Sequence, residues 1–317
     1  MGFMFDQMVA SKVGFLFPGQ GAQYVGMGKE AAGQSEAVRK IYQEADRILG
    51  FPVSQYCFEG PEETLTRTLY AQPAIFTTSL ALFFLLQEKF QDLKPSFVAG
   101  LSLGEFSALV AAGSLSFSDG LKLVQIRAES MEKAASENRG TMISILGLNQ
   151  EECLAIANET GVQLANLNAP DQFVLSGSES SIQQAASLAE NGGAKRVIRL
   201  KVSGAFHSPL MEPARQRFRE ALKKVKIQKP NCLFIPNVTA SAEADPEKIR
   251  NLLAEQLTHP VRWIETMQYA KAQGIQRLVE LGPGRVLKGL AKRIDSFLEV
   301  FSFEKISDLE PLESALV

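Results

Sequence analysis

The feature that most constrains the fold is the stretch SFVAGLSLGEFSALVAAG at residues 96–113. It joins a short apolar segment to an apolar helical pattern through a pentapeptide of the form Gly-x-Ser-x-Gly. Glycines are needed where a strand turns sharply into a helix, and such a turn lifts the side chain between them, here Ser102, clear of the backbone. The stretch predicts an α/β fold, and it leaves two interpretations of Ser102 open: a structural turn or a nucleophile.

Strand and helix patterns alternate along much of the chain. The predicted strands are 12–17, 96–100, 232–238 and 277–282, and the predicted helices are 35–49, 62–69, 71–90, 210–224 and 246–257. A further helical pattern directly follows Ser102. Because strands that alternate with helices usually form parallel sheets, this order favours an α/β domain with a mostly parallel sheet.

The middle of the chain follows a different order. Its predicted strands are 141–148, 162–168, 172–177 and 194–202, and its predicted helices are 151–160 and 180–191. The order βαββαβ is that of a ferredoxin-like unit. We therefore predict a large α/β domain at 10–137 and 204–306, interrupted by a small ferredoxin-like subdomain at 138–203.

Composition narrows the choice of partner and compartment. The net charge of −2 gives no reason to expect nucleic acid, which usually binds to a strongly basic face. The cysteines are three in number and far apart, which predicts buried thiols in a reducing compartment. The apolar run at 80–86 is too short to cross a bilayer and predicts a core helix. Because the first residues lack the pattern of a secretory signal, we expect a cytoplasmic protein with Met8 as its original start.

A serine nucleophile needs a base, and the sequence contains two histidines. His207 stands in GAFHSPL, downstream of Ser102, as in hydrolase-type chain order. His259 precedes Pro260 and is interpreted as a loop or cap histidine near the end of the helix at 246–257. His207 is therefore the candidate base, and a purely structural histidine is the alternative.

The glycine-rich stretch at 17–30, FPGQGAQYVGMGKE, does not fit a nucleotide site. A dinucleotide fingerprint that begins at Gly19 requires glycine where Tyr24 stands, and a P-loop requires Ser or Thr where Glu30 stands. The stretch is either a plain loop or a turn whose N–H groups near Gln20 form part of an oxyanion hole. The sequence contains no metal-ligand cluster.

Seven motifs follow one another along nearly the whole chain: FPGQGAQ (17–23), GLSLGE (100–105), IRAESM (126–131), ANLNAP (165–170), GAFHSPLMEP (204–213), EQLTHPVRW (255–263) and ELGPGRVLKGL (280–290). In this order and spacing they resemble the malonyl-CoA:acyl carrier protein transacylases of type II fatty acid synthesis. The resemblance implies an α/β-hydrolase-like large domain with a ferredoxin-like insertion. It implies that malonyl passes from malonyl-CoA to the phosphopantetheine thiol of holo acyl carrier protein through a malonyl-serine intermediate.

The resemblance also implies the environment of the reaction. It implies no cofactor and no metal, no nucleic acid or membrane partner, and a monomer in the cytoplasm or, in a plant, in the plastid stroma. Ser102 is the implied nucleophile and His207 the implied general base. The backbone N–H groups of Gln20 and Leu103 are the implied oxyanion donors, and the backbone carbonyl of Gln256 is the implied acceptor that holds the His207 ring.

Further positions are implied for the acyl pocket. Arg127 resembles the residue that binds the free malonyl carboxylate, for which a planar guanidinium is suited. Without the resemblance, Arg127 is interpreted as a cation on a helix surface. Met131 and Asn168 resemble other pocket residues, and Phe206 resembles the pattern of malonyl-selective members.

The chain departs from the usual pattern of the family at two positions. Leu101 stands where many bacterial members have histidine, and Phe106 stands where many have tyrosine. Neither position has a catalytic role in the family. Both substitutions are expected to alter how the serine is solvated.

Carrier proteins of this kind are acidic, so this slightly acidic chain must attract them locally. We expect Lys195 and Arg196 to lie near the CoA phosphates. The other basic residues are candidates for carrier docking, with a solvated face as the alternative; they are Arg199 and Lys201, then Lys223, Lys224, Lys226 and Lys229, and then Arg285, Lys288, Lys292 and Arg293.

Other functions compete with transfer to a fatty acid carrier. A serine esterase or thioesterase uses the same serine and histidine but passes the acyl group to water; Arg127 and the missing downstream carboxylate argue against it. A polyketide-pathway transacylase catalyses the same reaction with a different carrier. A non-catalytic carrier-binding relative is disfavoured because Ser102, His207 and Arg127 are all intact.

Overall fold

The computed structural model describes residues 12–316, so the predicted start at Met8 and the first residues of the predicted large domain lie outside the described residues. The first part of the chain contains β1 (Val13–Phe17), α1 (Lys29–Gln34), α2 (Glu36–Leu49), α3 (Val53–Glu59), α4 (Glu62–Thr66), α5 (Thr68–Lys89), β2 (Phe97–Gly100), α6 (Gly104–Ala111) and α7 (Phe117–Glu137). The middle contains β3 (Thr141–Leu146), α8 (Gln150–Thr160), β4 (Gln163–Ala169), β5 (Gln172–Gly177), α9 (Glu179–Asn191) and β6 (Arg196–Arg199). The last part contains α10 (Glu212–Leu222), β7 (Leu233–Phe234), α11 (Pro246–Glu255), α12 (Trp263–Ala272), β8 (Arg277–Leu281), α13 (Val286–Ile294), β9 (Glu299–Phe303) and α14 (Leu309–Leu316).

A parallel five-stranded sheet forms the centre of the large domain, in the order β7-β2-β1-β8-β9. All five residues of β1 are buried, because helices cover both faces of the sheet and a strand buried on both faces is apolar throughout. The helix α5 is long and apolar enough to cross a membrane, but here it packs in the core of the large domain. The prediction of a core helix at 80–86 is confirmed.

A second, antiparallel sheet forms the small subdomain in the order β4-β5-β3-β6, and the predicted βαββαβ order is confirmed. One edge of this sheet is attached to the large domain: the Leu167 N–H donates to Val261 O at 2.9 Å, and the Val261 N–H donates to Ala165 O at 2.8 Å. The opposite edge, β6, is mostly exposed. All four strands lie within 138–203, and the two domain boundaries themselves stay a prediction.

Several predicted elements differ from the observed ones. The helix predicted at 62–69 ends at Thr66, and a new helix begins at Thr68. The strand predicted at 232–238 is shorter than expected, because β7 contains only two residues and the backbone N–H of Asn237 donates to the Glu105 carboxyl instead of to β2. The bounds of α7 were not predicted, although α7 positions a central residue of the site described next. The other elements without a predicted counterpart are α1, α3, α12, α13, α14 and β9.

Candidate active site

The Gly-x-Ser-x-Gly pentapeptide forms the predicted turn between β2 and α6. A side chain at Gly100 would overlap the backbone of Gly104, and one at Gly104 would overlap the Phe17 carbonyl, so close packing requires both glycines. Ser102 itself has a φ of 53°, in the left-handed region that non-glycine residues rarely adopt. Such a conformation costs about 1–3 kcal/mol and persists only where the surroundings hold it. The turn therefore directs the Ser102 hydroxyl away from the sheet.

The structure brings His207 to this hydroxyl. The Ser102 Oγ lies 2.8 Å from His207 Nε2, and His207 Nδ1 lies 2.7 Å from the Gln256 carbonyl oxygen. Because a carbonyl can only accept, Nδ1 carries the proton and Nε2 accepts from the serine. His207, like Ser102, has a positive φ, of 58°. The ring is thus oriented as a base for Ser102, with a backbone carbonyl where many serine enzymes have a carboxylate.

Burial keeps the imidazole neutral. Burial, and to a smaller extent the positive charge of Arg127, lower the pKa of His207 to about 4, although the bond to the Gln256 carbonyl acts in the opposite direction. The ring is therefore unprotonated at neutral pH, as a base must be. The other histidine, His259, is exposed and lies 2.8 Å from the Glu255 carbonyl at the end of α11, which confirms its interpretation as a helix-end histidine.

The interpretation of Arg127 as a surface cation is wrong, because its side chain is fully buried on α7. Its Nη2 donates to Ser102 Oγ at 3.0 Å and to Gln256 Oε1 at 2.9 Å, and its Nη1 donates to Gln72 Oε1 at 2.7 Å. Burial lowers the pKa of Arg127 to about 10, so the guanidinium is still charged at neutral pH. A cation thus lies beside the serine hydroxyl, bonded to neutral amides.

The aromatic ring of Phe106 packs against this cation. Its centroid lies 5.7 Å from the guanidinium carbon of Arg127, and the ring makes an edge contact with Phe218. Phe106 is fully buried, whereas Leu101 lines the cavity that contains Ser102. Of the two departures from the family pattern, Phe106 therefore borders the Arg127 cation and Leu101 borders the cavity.

A buried carboxyl lies behind the turn. Glu105 accepts hydrogen bonds from the backbone N–H of Asn237 and from the side-chain amide of Gln256. Burial raises the pKa of Glu105 to about 8, although both donors and the positive charge of Arg127 act in the opposite direction. The Gln256 side chain therefore connects Glu105 to Arg127, while its backbone orients His207.

These groups open into a cavity of about 340 Å³ between the two sheets. Among the residues that line it are most of the predicted site residues, namely Gln20, Ser102, Leu103, Arg127, Met131, Asn168, Phe206 and His207. Gln256 is not among the lining residues and contacts the site through its hydrogen bonds to Arg127 and His207. Lys195 and Arg196 are exposed and are not among the lining residues, so the structure does not bring them into this cavity.

Two backbone N–H groups are available where the resemblance implies an oxyanion hole. Leu103 immediately precedes α6, so its N–H belongs to the donors that a helix leaves unpaired at its start. Within residues 12–316, neither this N–H nor that of Gln20 donates to a protein acceptor. Both residues border the cavity beside Ser102.

Sequence reasoning missed three polar residues of the site. Gln72 lies in an otherwise apolar part of α5 and holds Arg127. Asn237 follows the apolar segment that contains β7, and Glu105 follows the pentapeptide directly. A single polar residue inside or beside a buried apolar run is the signal that could have found them, because such a group requires a hydrogen-bond partner.

A parallel sheet with a strained serine turn and an imidazole on the serine hydroxyl is the arrangement typical of enzymes that act through a serine nucleophile. Residues 14–302 match a family described as acyl transferase domain. A malonyl CoA-acyl carrier protein transacylase of Bacillus subtilis is 44% identical, with 96% of each chain covered. The chain belongs to this acyl transferase family.

Solved structures agree with this assignment. An acyl-carrier-protein-S-malonyltransferase from Bartonella henselae matches with a TM-score of 0.92 at 38% identity, covering 96% of this chain and 99% of that one. A malonyl-transacylase in complex with its type II polyketide-synthase acyl-carrier protein matches with a TM-score of 0.91 at 37% identity, covering 96% and 100%. The predicted fold, a large α/β domain with a small antiparallel subdomain, is confirmed.

Proposed function

We propose that the protein transfers the malonyl group from malonyl-CoA to the phosphopantetheine thiol of acyl carrier protein, as the names of its relatives indicate. The observation that carries this proposal is the buried guanidinium of Arg127, 3.0 Å from the Ser102 hydroxyl. An acyl group attached to this hydroxyl lies next to a fixed cation. A free carboxylate on that acyl group is then bound as an ion pair.

The reaction follows from the arrangement of the proton donors and acceptors. Ser102 Oγ attacks the thioester carbon while His207 Nε2 takes its proton, so that an O–C bond forms and the carbonyl oxygen becomes an oxyanion. The oxyanion then collapses and the C–S bond breaks. The proton passes to the departing CoA sulfur. In the second half, the carrier thiol attacks the malonyl-serine ester, His207 takes the thiol proton, and the same proton returns to the serine oxygen.

The negative charge that develops on the carbonyl oxygen needs donors. We assign this role to the backbone N–H groups of Gln20 and Leu103, which border the cavity and have no acceptor among residues 12–316. Donors that are fixed before the reaction stabilise an oxyanion by about 3–4 kcal/mol each. The helix α6 adds its positive end, since Leu103 directly precedes it.

The small subdomain supplies polar groups for the acyl chain or the pantetheine. Asn168 Oδ1 and Ser144 Oγ are buried at the cavity wall and have no hydrogen-bond partner within residues 12–316. Because an unpaired buried polar atom is costly, such atoms favour a ligand with matching groups. Met131 and Phe206 complete the apolar part of the wall.

We place the carrier at α13, which begins at the mouth of the cavity. Val286 lines the cavity and is 44% exposed. Arg285 and Arg293 have acidic partners on this chain, whereas Lys288 and Lys292, one turn apart and exposed, form no ion pair within the described residues. These two lysines are therefore available to an acidic carrier.

Charge reversal tests this docking surface. Lys288→Glu with Lys292→Glu is expected to raise the KM for holo carrier about fivefold to tenfold at low salt and less at high salt, with the KM for malonyl-CoA nearly unchanged. The matched control is Lys224→Glu with Lys226→Glu, which reverses two exposed charges just beyond α10, away from the cavity. Equal effects of the two double variants on the carrier KM would contradict the assignment.

Mass spectrometry after brief mixing with malonyl-CoA tests the reaction itself. The expected result is a malonyl adduct on the Ser102 peptide that holo carrier protein discharges. Ser102→Ala is expected to abolish the adduct, and Ser107→Ala, a buried serine on α6, to retain it. An adduct that only water discharges would instead support the thioesterase alternative.

A second candidate is the same transfer to a polyketide carrier, since one structural neighbour was solved with such a carrier. The discharge rate of the malonyl-enzyme by a fatty acid carrier and by a polyketide carrier separates the two. The interpretation as a cytoplasmic monomer stays a prediction.

A further inference from the structure

The pairing of β2 with β7 continues beyond the two strands themselves. The Leu233 N–H donates to Ser96 O at 3.1 Å, and the Ile235 N–H donates to Val98 O at 3.3 Å. At the same step of two residues, the next pair is Asn237 and Gly100. However, the Asn237 backbone N–H donates to the Glu105 carboxyl instead. The last rung of the ladder therefore needs another donor.

The side chain of Asn237 supplies that rung. Its Nδ2 donates to Gly100 O at 2.7 Å, and its Oδ1 accepts from the Ser102 N–H at 2.7 Å. In a parallel pair, the N–H of one residue donates to a carbonyl of the neighbouring strand. The C=O of the same residue accepts from the N–H that lies two residues further along that neighbour. The carboxamide reproduces this pattern on Gly100 and Ser102, and the Asn237 side chain is fully buried.

The two groups that the carboxamide binds flank the strained turn. The paired registers of β2 with β1 and β7 end before Ser102, where the chain leaves the sheet with a φ of 53°. A small backbone rotation here moves the Ser102 hydroxyl away from His207 and Arg127, which lie within 3.0 Å of it.

We propose that Asn237 is a positioning residue for the nucleophile: its carboxamide acts as the final rung of the β2–β7 ladder and holds Ser102 in the conformation that meets His207. The inference rests on the proposed role of Ser102. It predicts that loss of the carboxamide slows acylation and leaves malonyl-CoA binding intact, because Asn237 does not line the cavity.

Rapid-mixing mass spectrometry measures the rate at which malonyl-serine forms. For Asn237→Ala we expect about a 100-fold lower rate, comparable to the loss that a 1 Å misplacement causes, and a dissociation constant for malonyl-CoA within about twofold of the wild-type value. An acylation rate within twofold of wild type in the folded variant would overturn the proposal.

Asn237→Asp provides a pH readout that a general loss of stability would not produce. The ionised carboxylate accepts from the Ser102 N–H but repels the Gly100 carbonyl, whereas the protonated acid donates to that carbonyl and restores both bonds. The titratable and charged groups that face this position are Glu105 of α6, directly, and Arg127 of α7 and His207, through Gln256 and Ser102. All three of these groups are present both in the wild-type enzyme and in Asn237→Asp.

The ratio of the Asn237→Asp acylation rate to the wild-type rate is therefore expected to rise as the pH falls from 8 to 5. A ratio that is constant or falls with decreasing pH would contradict the proposal, even if Asn237→Ala fails to fold. Phe303→Leu, a buried change on β9 at the opposite edge of the sheet, is the control for lost stability and is expected to acylate at the wild-type rate.

Ser102→Ala distinguishes failure of the proposed nucleophile from failure of the positioning role of Asn237. A malonyl adduct that persists in Ser102→Ala would remove the proposed nucleophile and the role of Asn237 with it. If Ser102→Ala forms no adduct while Asn237→Ala acylates normally, only the positioning role is wrong.

Discussion

The large domain and the small subdomain contribute to the same cavity in different ways. The large domain supplies Ser102, His207 and Arg127, which hydrogen bonds join to one another and to Gln256. The small subdomain supplies a wall in which Ser144 Oγ and Asn168 Oδ1 have no partner within the described residues. In the large domain the groups around the Ser102 hydroxyl are bonded to one another, although Arg127 Nε has no partner within the described residues, whereas the small subdomain presents two unpaired oxygens to the cavity.

This difference follows from how the two sheets are held. The parallel sheet is buried on both faces, and its loops converge on the Ser102 turn, so its groups are fixed before any ligand binds. The antiparallel sheet is attached along β4 through Val261, while β6 forms an exposed edge. We infer that the large domain determines the chemistry and binds the acyl carboxylate, and that the small subdomain contributes to the fit of the rest of the substrate. Four predictions test this division.

The largest effect is expected at Arg127, in the large domain. Arg127→Ala removes the cation that contacts the Ser102 hydroxyl and is expected to lower kcat/KM for malonyl-CoA about 100-fold, equivalent to about 2.7 kcal/mol. Acetyl-CoA, which has no carboxylate to pair, is expected to lose much less. The measurement is the ratio of the two kcat/KM values, and an unchanged ratio would show that Arg127 does not recognise the carboxylate.

The next largest effect is expected in the pH dependence of kcat/KM, which reports the protonation of His207 in the large domain. Because His207 must be neutral to act as a base and its pKa is about 4, kcat/KM is expected to be independent of His207 protonation above pH 5 and to fall as the pH drops through 4. Arg127→Ala removes a positive charge that lowers this pKa, so the acid limb is expected to move to higher pH. His259→Ala is the control that leaves the limb in place. A limb that stays at the wild-type position in Arg127→Ala would contradict the electrostatic assignment.

A smaller effect is expected in the wall of the small subdomain. Asn168→Ala removes a polar group from the cavity but touches none of the hydrogen bonds between Ser102 and His207. We expect the KM for malonyl-CoA to rise about threefold to tenfold with a nearly constant kcat, corresponding to about 1 kcal/mol of binding. A large fall in kcat with a constant KM would mean that the small subdomain takes part in the chemistry.

The smallest effect is expected at the exposed end of the small subdomain. Lys195→Glu with Arg196→Glu tests whether these residues lie near the CoA phosphates, and it is expected to raise the KM for malonyl-CoA a few-fold at low salt, because exposed charge pairs contribute about 1 kcal/mol or less. The truncated substrate malonyl-pantetheine, which lacks the nucleotide phosphates, is the control. An equal effect on both substrates would exclude phosphate contacts.

Much of the fold could be predicted because its signals are local. The VGFLF strand, the serine turn and the βαββαβ order of the small subdomain each depend on patterns within a few residues. The observed strands at 13–17, 97–100, 141–146 and 172–177 lie inside the predicted ones. The short β7 could not be predicted in this way, because its pairing with β2 ends where the Asn237 N–H donates to Glu105, a residue distant along the chain.

The candidate site was predictable only in part. Ser102 and His207 were found from the turn and from the scarcity of histidine. The resemblance assigned Arg127 to the site, whereas the residues alone indicated an exposed helix. Gln72, Glu105 and Asn237 were missed, since each is an ordinary polar residue until its partners are known.

The sequence by itself determined the alternation of strands and helices, the insertion of a second sheet, and the sharp turn that exposes one hydroxyl. These features follow from side-chain periodicity and from the glycines that the turn requires. Only the tertiary structure decided that a guanidinium lies beside that hydroxyl and that a carboxamide 135 residues away completes the strand behind it. The physical reason is that burial and hydrogen-bond pairing belong to groups that are distant along the chain, and their energies exist only once the chain has folded.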